Sequence, residues 1–378
     1  MTTQASESVD IYHFGYGSNL DLQDWTRYWD ALGRRAPVLE PVGPAVLPDH
    51  ELAFDYFSRS RGGGALNIRP RVGQVVEGYL FRVTEAGWRG LDLKEGVAAG
   101  CYERFETLAL CSVTGRAVPV VTYRACADRT GEFHRPTDPY LEACRRGRKR
   151  FGLGMAMLEA LAAGRVPECE VRGVFAYGTL MRGESRFPIV EKFGLKCALL
   201  ASTFGDLHDR GAWPSLSLPE CADGRIVHGE FLIAHDLPGL LKTLDLIEGF
   251  NGFDAPPRLF RRTLINVDVD HGRIRQAWGY VMDAPQDHSN LVPSGCWRRH
   301  RARHKKFVAA LVDGHAEGIP DFARRVAMAI TPPACAFEAE KHDLTMEQVL
   351  DEVIYGEIAE RRLAQVSDRW DIAPTCDY

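Results

Sequence analysis

Two glutamates stand at matching places in this chain, each followed by glycine: Glu95-Gly96 and Glu248-Gly249. Each closes an apolar run of helical character, Leu91-Asp92-Leu93-Lys94 before the first and Leu244-Asp245-Leu246-Ile247 before the second. A surface glutamate has no reason to recur at such a position, whereas a buried carboxylate does. Burial raises a carboxyl pKa toward neutrality and makes it a competent general base. Upstream of each glutamate lies a glycine turn, Tyr16-Gly17-Ser18-Asn19-Leu20 and Tyr177-Gly178-Thr179-Leu180. A turn of this kind ends a strand and opens a helix, so it converges backbone N–H groups on one point and suits a carboxylate or a developing oxyanion. Glycine is expected there because a side chain would block close approach or the backbone conformation. The turn is not a phosphate-binding P-loop, since no G-x-x-x-x-G-K-[ST] is present. Nor is it a nucleophile elbow, since Ser18 lacks the G-x-S-x-G frame. Asp92 and Asp245 recur as well, but a helical context suits them better to capping or structural hydrogen bonds.

The elements that must position these groups repeat in the same order. Residues 11–20 match 171–180, Val76–Phe81 match Val227–Leu232, and Leu91–Gly96 match Leu244–Gly249. Tyr102-Glu103-Arg104 then matches Phe260-Arg261-Arg262, and Val121-Thr122-Tyr123 matches Trp278-Gly279-Tyr280. The chain is therefore expected to be two copies of one α+β module, each a small, mostly antiparallel β-barrel or curled sheet with flanking helices. Residues 11–16 and 172–177 suit buried strands; Leu22, Trp25, Trp29 and Leu32, and later Phe187, Val190 and Phe193, recur at helical spacing. Segments 75–83 and 226–234 carry a central glycine, as a strand with a bulge or a close contact would. Short helices over 84–94 and 235–247 deliver the glutamates, and strands around 102–110, 117–125, 259–269 and 275–282 complete the modules.

The first module is expected over 11–165, with a helical finish at 139–163 and a linker near 164–170. The second is expected over 171–330, with helices from 297 onward. A C-terminal extension over 331–378 holds one helix, opened by Thr345-x-x-Gln348 and lined by Val349, Val353, Ile354 and Ile358. The basic stretch Arg298–Lys306 reads as a solvated helix face, short and poor in aromatics.

Composition excludes several classes. A net charge of −5 and a pI near 6.2 give no footprint for nucleic acid or an anionic membrane. No run of about twenty apolar residues could span a bilayer, and residues 1–10 have no apolar signal core. The ten cysteines form no C-x-x-C pair and read as reduced, mostly buried thiols of a cytoplasmic protein. His228-Gly229-Glu230 has the H-x-E start of a zinc deaminase without the following P-C-x-x-C, so no metal is expected.

Taken together, Tyr16-Gly17-Ser18-Asn19-Leu20, Glu95-Gly96-Val97, Gly100-x-Tyr102 and Tyr123 resemble γ-glutamylcyclotransferase over most of residues 11–163. The second module, with Tyr177-Gly178-Thr179-Leu180 and Glu248-Gly249, is more similar to the AIG2-like and γ-glutamylamine-cyclotransferase branch over roughly 172–300. The ChaC branch, which takes glutathione, has Leu directly after Tyr-Gly-Ser where this chain has Asn19, which argues mildly against glutathione. The resemblance implies a six-stranded barrel and release of 5-oxoproline from a γ-glutamyl amide, without cofactor. It casts Glu95 and Glu248 as bases. Substrate would be bound by Tyr16, Gly17, Ser18, Asn19, Leu20, Tyr102 and Tyr123, and by Tyr177, Gly178, Thr179, Leu180 and Tyr280. The expected partner is a small γ-glutamyl amide or γ-glutamyl amino acid, with oligomeric state left open. The second module departs at Phe260, which lacks the hydroxyl of Tyr102, and at a longer loop, Asn251–Arg258, containing Pro256-Pro257. Two alternatives stay open: γ-glutamyl deprotection of a natural-product amine, and a tandem in which one copy only binds ligand.

Overall fold

Tyr12–Gly15 forms strand β1 of a computed structural model that describes residues 11–167, 171–219, 225–255, 259–270, 272–282 and 290–302. β1 runs antiparallel to β3 (Gly63–Val83), with Phe14 opposite Leu80, and parallel to β5 (Ala117–Ala125), with His13 opposite Val121. The crossing is close. A Cβ on Gly78 of β3 would stand 2.5 Å from both the Gly15 carbonyl oxygen and the Phe14 ring, so the central glycine marks the close contact expected of it. β2 (Leu39–Ser58) pairs with β3, and β4 (Tyr102–Cys111) pairs with both β2 and β5. The order β1-β3-β2-β4-β5 therefore closes on itself as a five-stranded barrel. Phe14, Leu47, Val76, Phe81 and Leu91 fill its core without measurable exposure.

Two helices of the first module begin on side-chain caps. Asp21 accepts from Gln23 N (3.0 Å) at the head of α1 (Leu22–Ala31), and Thr84 accepts from Gly87 N (3.2 Å) at the head of α2 (Glu85–Glu95). The helical finish of the module is α3 (Asp138–Arg150) and α4 (Ala156–Ala162). α3 lies on the glycine turn: a Cβ on Gly147 would come within 2.6 Å of Leu20 Cβ and 2.8 Å of the Asp21 nitrogen. Arg146 of the same helix pairs with Asp21 at 2.7 Å.

The second module repeats the closure. β6 (Val174–Ala176) lies antiparallel to β9 (Arg225–Ala234) and parallel to β11 (Arg273–Val281); β10 (Arg261–Val269) pairs with β11 and with β7 (Leu195–Asp209). β8 (Pro214–Ser217) adds a sixth strand beside β7. Each barrel thus closes with five strands, one fewer than the resemblance implies, because β8 lies outside the second ring. α5 (Phe187–Glu191) is a single short helix, and α6 (Leu237–Glu248) is capped by Asp236, which accepts from Gly239 N at 2.9 Å.

The chain divides into two compact units that do not follow the module boundary: residues 1–176, 187–203 and 230–283 form one, and residues 177–186, 204–229 and 284–378 the other. The expected helices beyond residue 302, including the C-terminal one, lie outside the described residues. Where the basic stretch is described, it is not a freely solvated face. Arg298 donates to the Arg182 carbonyl, and His300 Nε2 lies 2.7 Å from Asp209. The cysteines also differ from expectation: of the six described, all free, Cys144 is buried and the other five are partly exposed.

Gly147→Ala pits two effects against each other. Alanine would gain up to about 1 kcal/mol of helix propensity, but its methyl group meets backbone that cannot rotate away, and overpacking of this kind costs about 1–3 kcal/mol. Urea unfolding should show a net loss of stability; an unchanged or raised midpoint would mean that the turn yields to the helix.

Candidate active site

Glu95 is the last residue of α2, and Gly96 after it takes the left-handed conformation (φ 65°, ψ 38°), its N–H returning to the Asp92 and Leu93 carbonyls. Gly249 does the same after Glu248 (φ 70°), with its N–H on the Asp245 carbonyl. The recurring glycine is therefore a helix cap that a residue with a Cβ adopts poorly. It turns the chain away from the helix at the residue after the carboxylate.

Glu95 Oε1 accepts from Asn19 Nδ2 at 2.8 Å, and Asn19 Oδ1 accepts from Lys94 Nζ at 2.8 Å. An ammonium only donates, so it fixes the asparagine oxygen toward Lys94 and the amide NH₂ toward Glu95. The Lys94 side chain is 4% exposed and lies 3.1 Å from Asp24, which Arg61 grips with both arms at 2.9 and 2.7 Å. Burial alone would push the Asp24 carboxyl up, but Arg61 and Lys94 prevail and hold it at about 2. For Glu95 the balance falls the other way: burial raises its pKa above the ordinary glutamate value, and Lys94 and Asn19 only partly oppose it.

A cavity with an empty volume of ≈ 310 Å³ opens between Glu95 and the turn, lined by Tyr16, Gly17, Ser18, Asn19, Tyr102 and Tyr123 together with other residues. Tyr16 donates to the Tyr123 carbonyl (2.7 Å) and Tyr102 to the Leu66 carbonyl (2.8 Å), while Tyr140 accepts from Leu66 N (3.0 Å). The tyrosines are thus fixed by backbone before any ligand enters. Tyr123 donates to Asp92 Oδ1 (2.8 Å), and Arg104 holds both oxygens of the same carboxylate at 2.8 and 2.7 Å. This is the structural role expected of Asp92. A Cβ on Gly17 would meet Leu66 and the Tyr140 hydroxyl at an ordinary 3.7 Å. All three residues line the cavity, so the glycine keeps the cavity open there and does not relieve a backbone clash.

Leu20 is placed elsewhere, fully buried in the core and away from the cavity lining. His13, Leu66 and Tyr140 line the cavity, although nothing in the sequence singles them out. His13 is held at about 4 by burial, which outweighs its ring contact with the Val121 carbonyl at 3.2 Å, so it is neutral at neutral pH. Among the described residues no group of His, Cys, Asp and Glu could hold a metal ion.

In the second module Tyr177, Gly178, Thr179 and Leu180 fall in one compact unit, and Glu248 and Tyr280 in the other. Tyr177 and Leu180 are buried, and a Cβ on Gly178 would strike Pro214 at 2.5 Å, so this glycine is required by packing. Glu248 is 8% exposed, and Phe260, where the first module has Tyr102, is 3% exposed. Tyr280 donates to Asp245 (2.7 Å), and Arg262 donates to the same carboxylate at 2.9 Å. The arginine, aspartate and tyrosine of the first site thus recur at matching positions. No helix among the described residues is long and apolar enough to cross a membrane.

The family described as gamma-glutamyl cyclotransferase, AIG2-like, matches residues 174–299, so the second module carries a domain of that family. No curated protein matches the chain. Among solved structures, one titled gamma-glutamyl cyclotransferase is 23% identical, covering 42% of this chain and 89% of its own, with a TM-score of 0.35. An uncharacterized protein from Homo sapiens is 24% identical over 42% of this chain and 89% of its own (TM-score 0.34). YkqA from Bacillus subtilis is 24% identical over 41% and 53% (TM-score 0.34).

The raised Glu95 carboxyl has a consequence for stability. A group whose pKa is raised on folding contributes stability that is fully present below its unfolded pKa, about 4.3 for glutamate, and lost as pH rises through the folded value. Glu95→Gln removes that loss and keeps an acceptor for Asn19. The variant should match wild type at pH ~4 and exceed it at pH ~7 in urea midpoint. Equal midpoints at both pH values would show that the carboxyl is unperturbed.

Proposed function

We propose that the first module releases 5-oxoproline from a γ-glutamyl amide, with Glu95 as general base, and that Glu248 serves the second module in the same way. The observation that carries this reading is Glu95 itself: a carboxyl raised by burial, aimed by Asn19, on a cavity whose other wall is the Tyr16–Asn19 turn. The family of the second module supports the same chemistry in its partner copy.

The substrate supplies its own nucleophile. Its α-ammonium, which ordinarily titrates at about pH 8, loses a proton to Glu95; the free amine attacks the γ-carbonyl carbon, and a five-membered lactam closes. The bond from that carbon to the departing nitrogen breaks as the attacking nitrogen gives up its second proton, and the departing nitrogen takes up that proton together with the one Glu95 accepted. A base closer to the ammonium in pKa makes the first transfer less uphill, which is what burial of Glu95 supplies. In this reading the N–H groups of the Gly17–Asn19 turn hold the α-carboxylate or the carbonyl oxygen as it gains charge. Holding amine over carbonyl within a walled cavity adds an orientation effect that reaches several kcal/mol in intramolecular reactions.

Two active modules would differ in the amine they accept, since Phe260 replaces Tyr102 and the loop from Asn251 is longer. Glu95→Gln and Glu248→Gln should each remove one part of the activity over a panel of γ-glutamyl amines and amino acids, by about 10²- to 10⁴-fold for the substrates of that module. Loss of all turnover in one variant alone would leave a single active copy. Absence of 5-oxoproline from the whole panel, with ligand still raising the Tm, would favour the binding reading.

A further inference from the structure

The arginine of the second Arg–Asp–Tyr set does not end in solvent. In the first module Arg104 is 41% exposed and serves Asp92 from the surface. Its counterpart Arg262 is 1% exposed, with one arm on Asp245 and the other on Asp49, a residue of the first module. Its guanidinium also lies 5.1, 5.0 and 4.9 Å from the ring centres of Phe250, Phe253 and Trp278.

Asp49 is built to receive it. The register of β2 against β3 shifts between Pro48 and His50, and Asp49 occupies the shift with φ at 55°, in the left-handed region unusual for a residue other than glycine. Its Oδ1 accepts from Gly73 N at 2.8 Å, leaving Oδ2 for Arg262. The Gly73 carbonyl accepts from Trp278 Nε1 at 2.9 Å, so one corner of the first barrel holds both the cation and the ring beside it. Tyr280 sits at the far end of this chain of contacts. Its hydroxyl is raised well above the ordinary tyrosine value by burial first and then by the charges of Asp245 and, more weakly, Glu248.

We infer that Asp49 is a positioning residue for the second site: it fixes Arg262, which fixes Asp245, which orients Tyr280 beside Glu248. The second site is then completed by the first module. This inference rests on the proposed function for what Tyr280 orients, but not for the linkage itself.

Each site can be read separately in the full-length protein. In a Glu95→Gln background, Asp49→Asn should lower kcat of the second site by about 10- to 100-fold with little change in KM. In a Glu248→Gln background the same change should leave the first site as it was. Asp49→Glu should restore part of the loss, and Asp49→Asn should add nothing once Asp245→Asn is present. Exchange of the Tyr280 hydroxyl proton, followed by NMR, reports the linkage without turnover: it should quicken in Asp49→Asn, with the Tyr123 hydroxyl unchanged as the internal control. An unchanged second-site kcat with Tyr280 still protected would overturn the inference, as would equal losses at both sites. If neither background forms 5-oxoproline yet Tyr280 loses protection, the reaction assignment fails and the linkage stands.

Discussion

One constraint organises the first site: a carboxylate must be kept out of bulk water at the end of a helix and still be aimed. Both burial and the carbonyls at a helix C-terminus oppose its charge, and burial raises the Glu95 pKa. The buried Lys94 restrains that tendency without pairing directly with the carboxylate, because Asn19 stands between them. The result is a base that is raised yet oriented. Along the chain of Arg61, Asp24, Lys94, Asn19 and Glu95 each contact joins a donor to an acceptor, so each member fixes the next. The aromatic walls of the cavity are fixed independently, through the Tyr123 and Leu66 backbone.

The duplicated parts are legible because each has a local signature. The glycine turns, the capped helices ending in glutamate and the strands at 102–125 show themselves through spacing and recurrence, and they form within a few residues of expectation. β2 is not legible. Pro41, Pro44 and Pro48 argue against a strand of 20 residues, and the structure accommodates it with register shifts beside Pro41 and Pro48. β7 has no legible repeat partner either, since its counterpart is the hidden β2.

Roles at the site are harder to read than types. Nothing local links Asn19 to Lys94, which are 75 residues apart, and Tyr140 reaches the cavity from a helix that reads only as a finish to the module. Asp92 and Asp245 suit structural hydrogen bonds from their context alone, yet their shared tyrosine and arginine partners emerge only once the strands are paired. Arg262 reads in sequence as one more charged residue on a strand; only the fold shows it shut between barrels.

That enclosure makes the second module depend on the first. Two freshly copied domains can be parted again with little harm, since each still keeps its own surface. With Arg262 turned inward onto Asp49, a second module cut from the first would carry a buried cation with half its counter-charge missing.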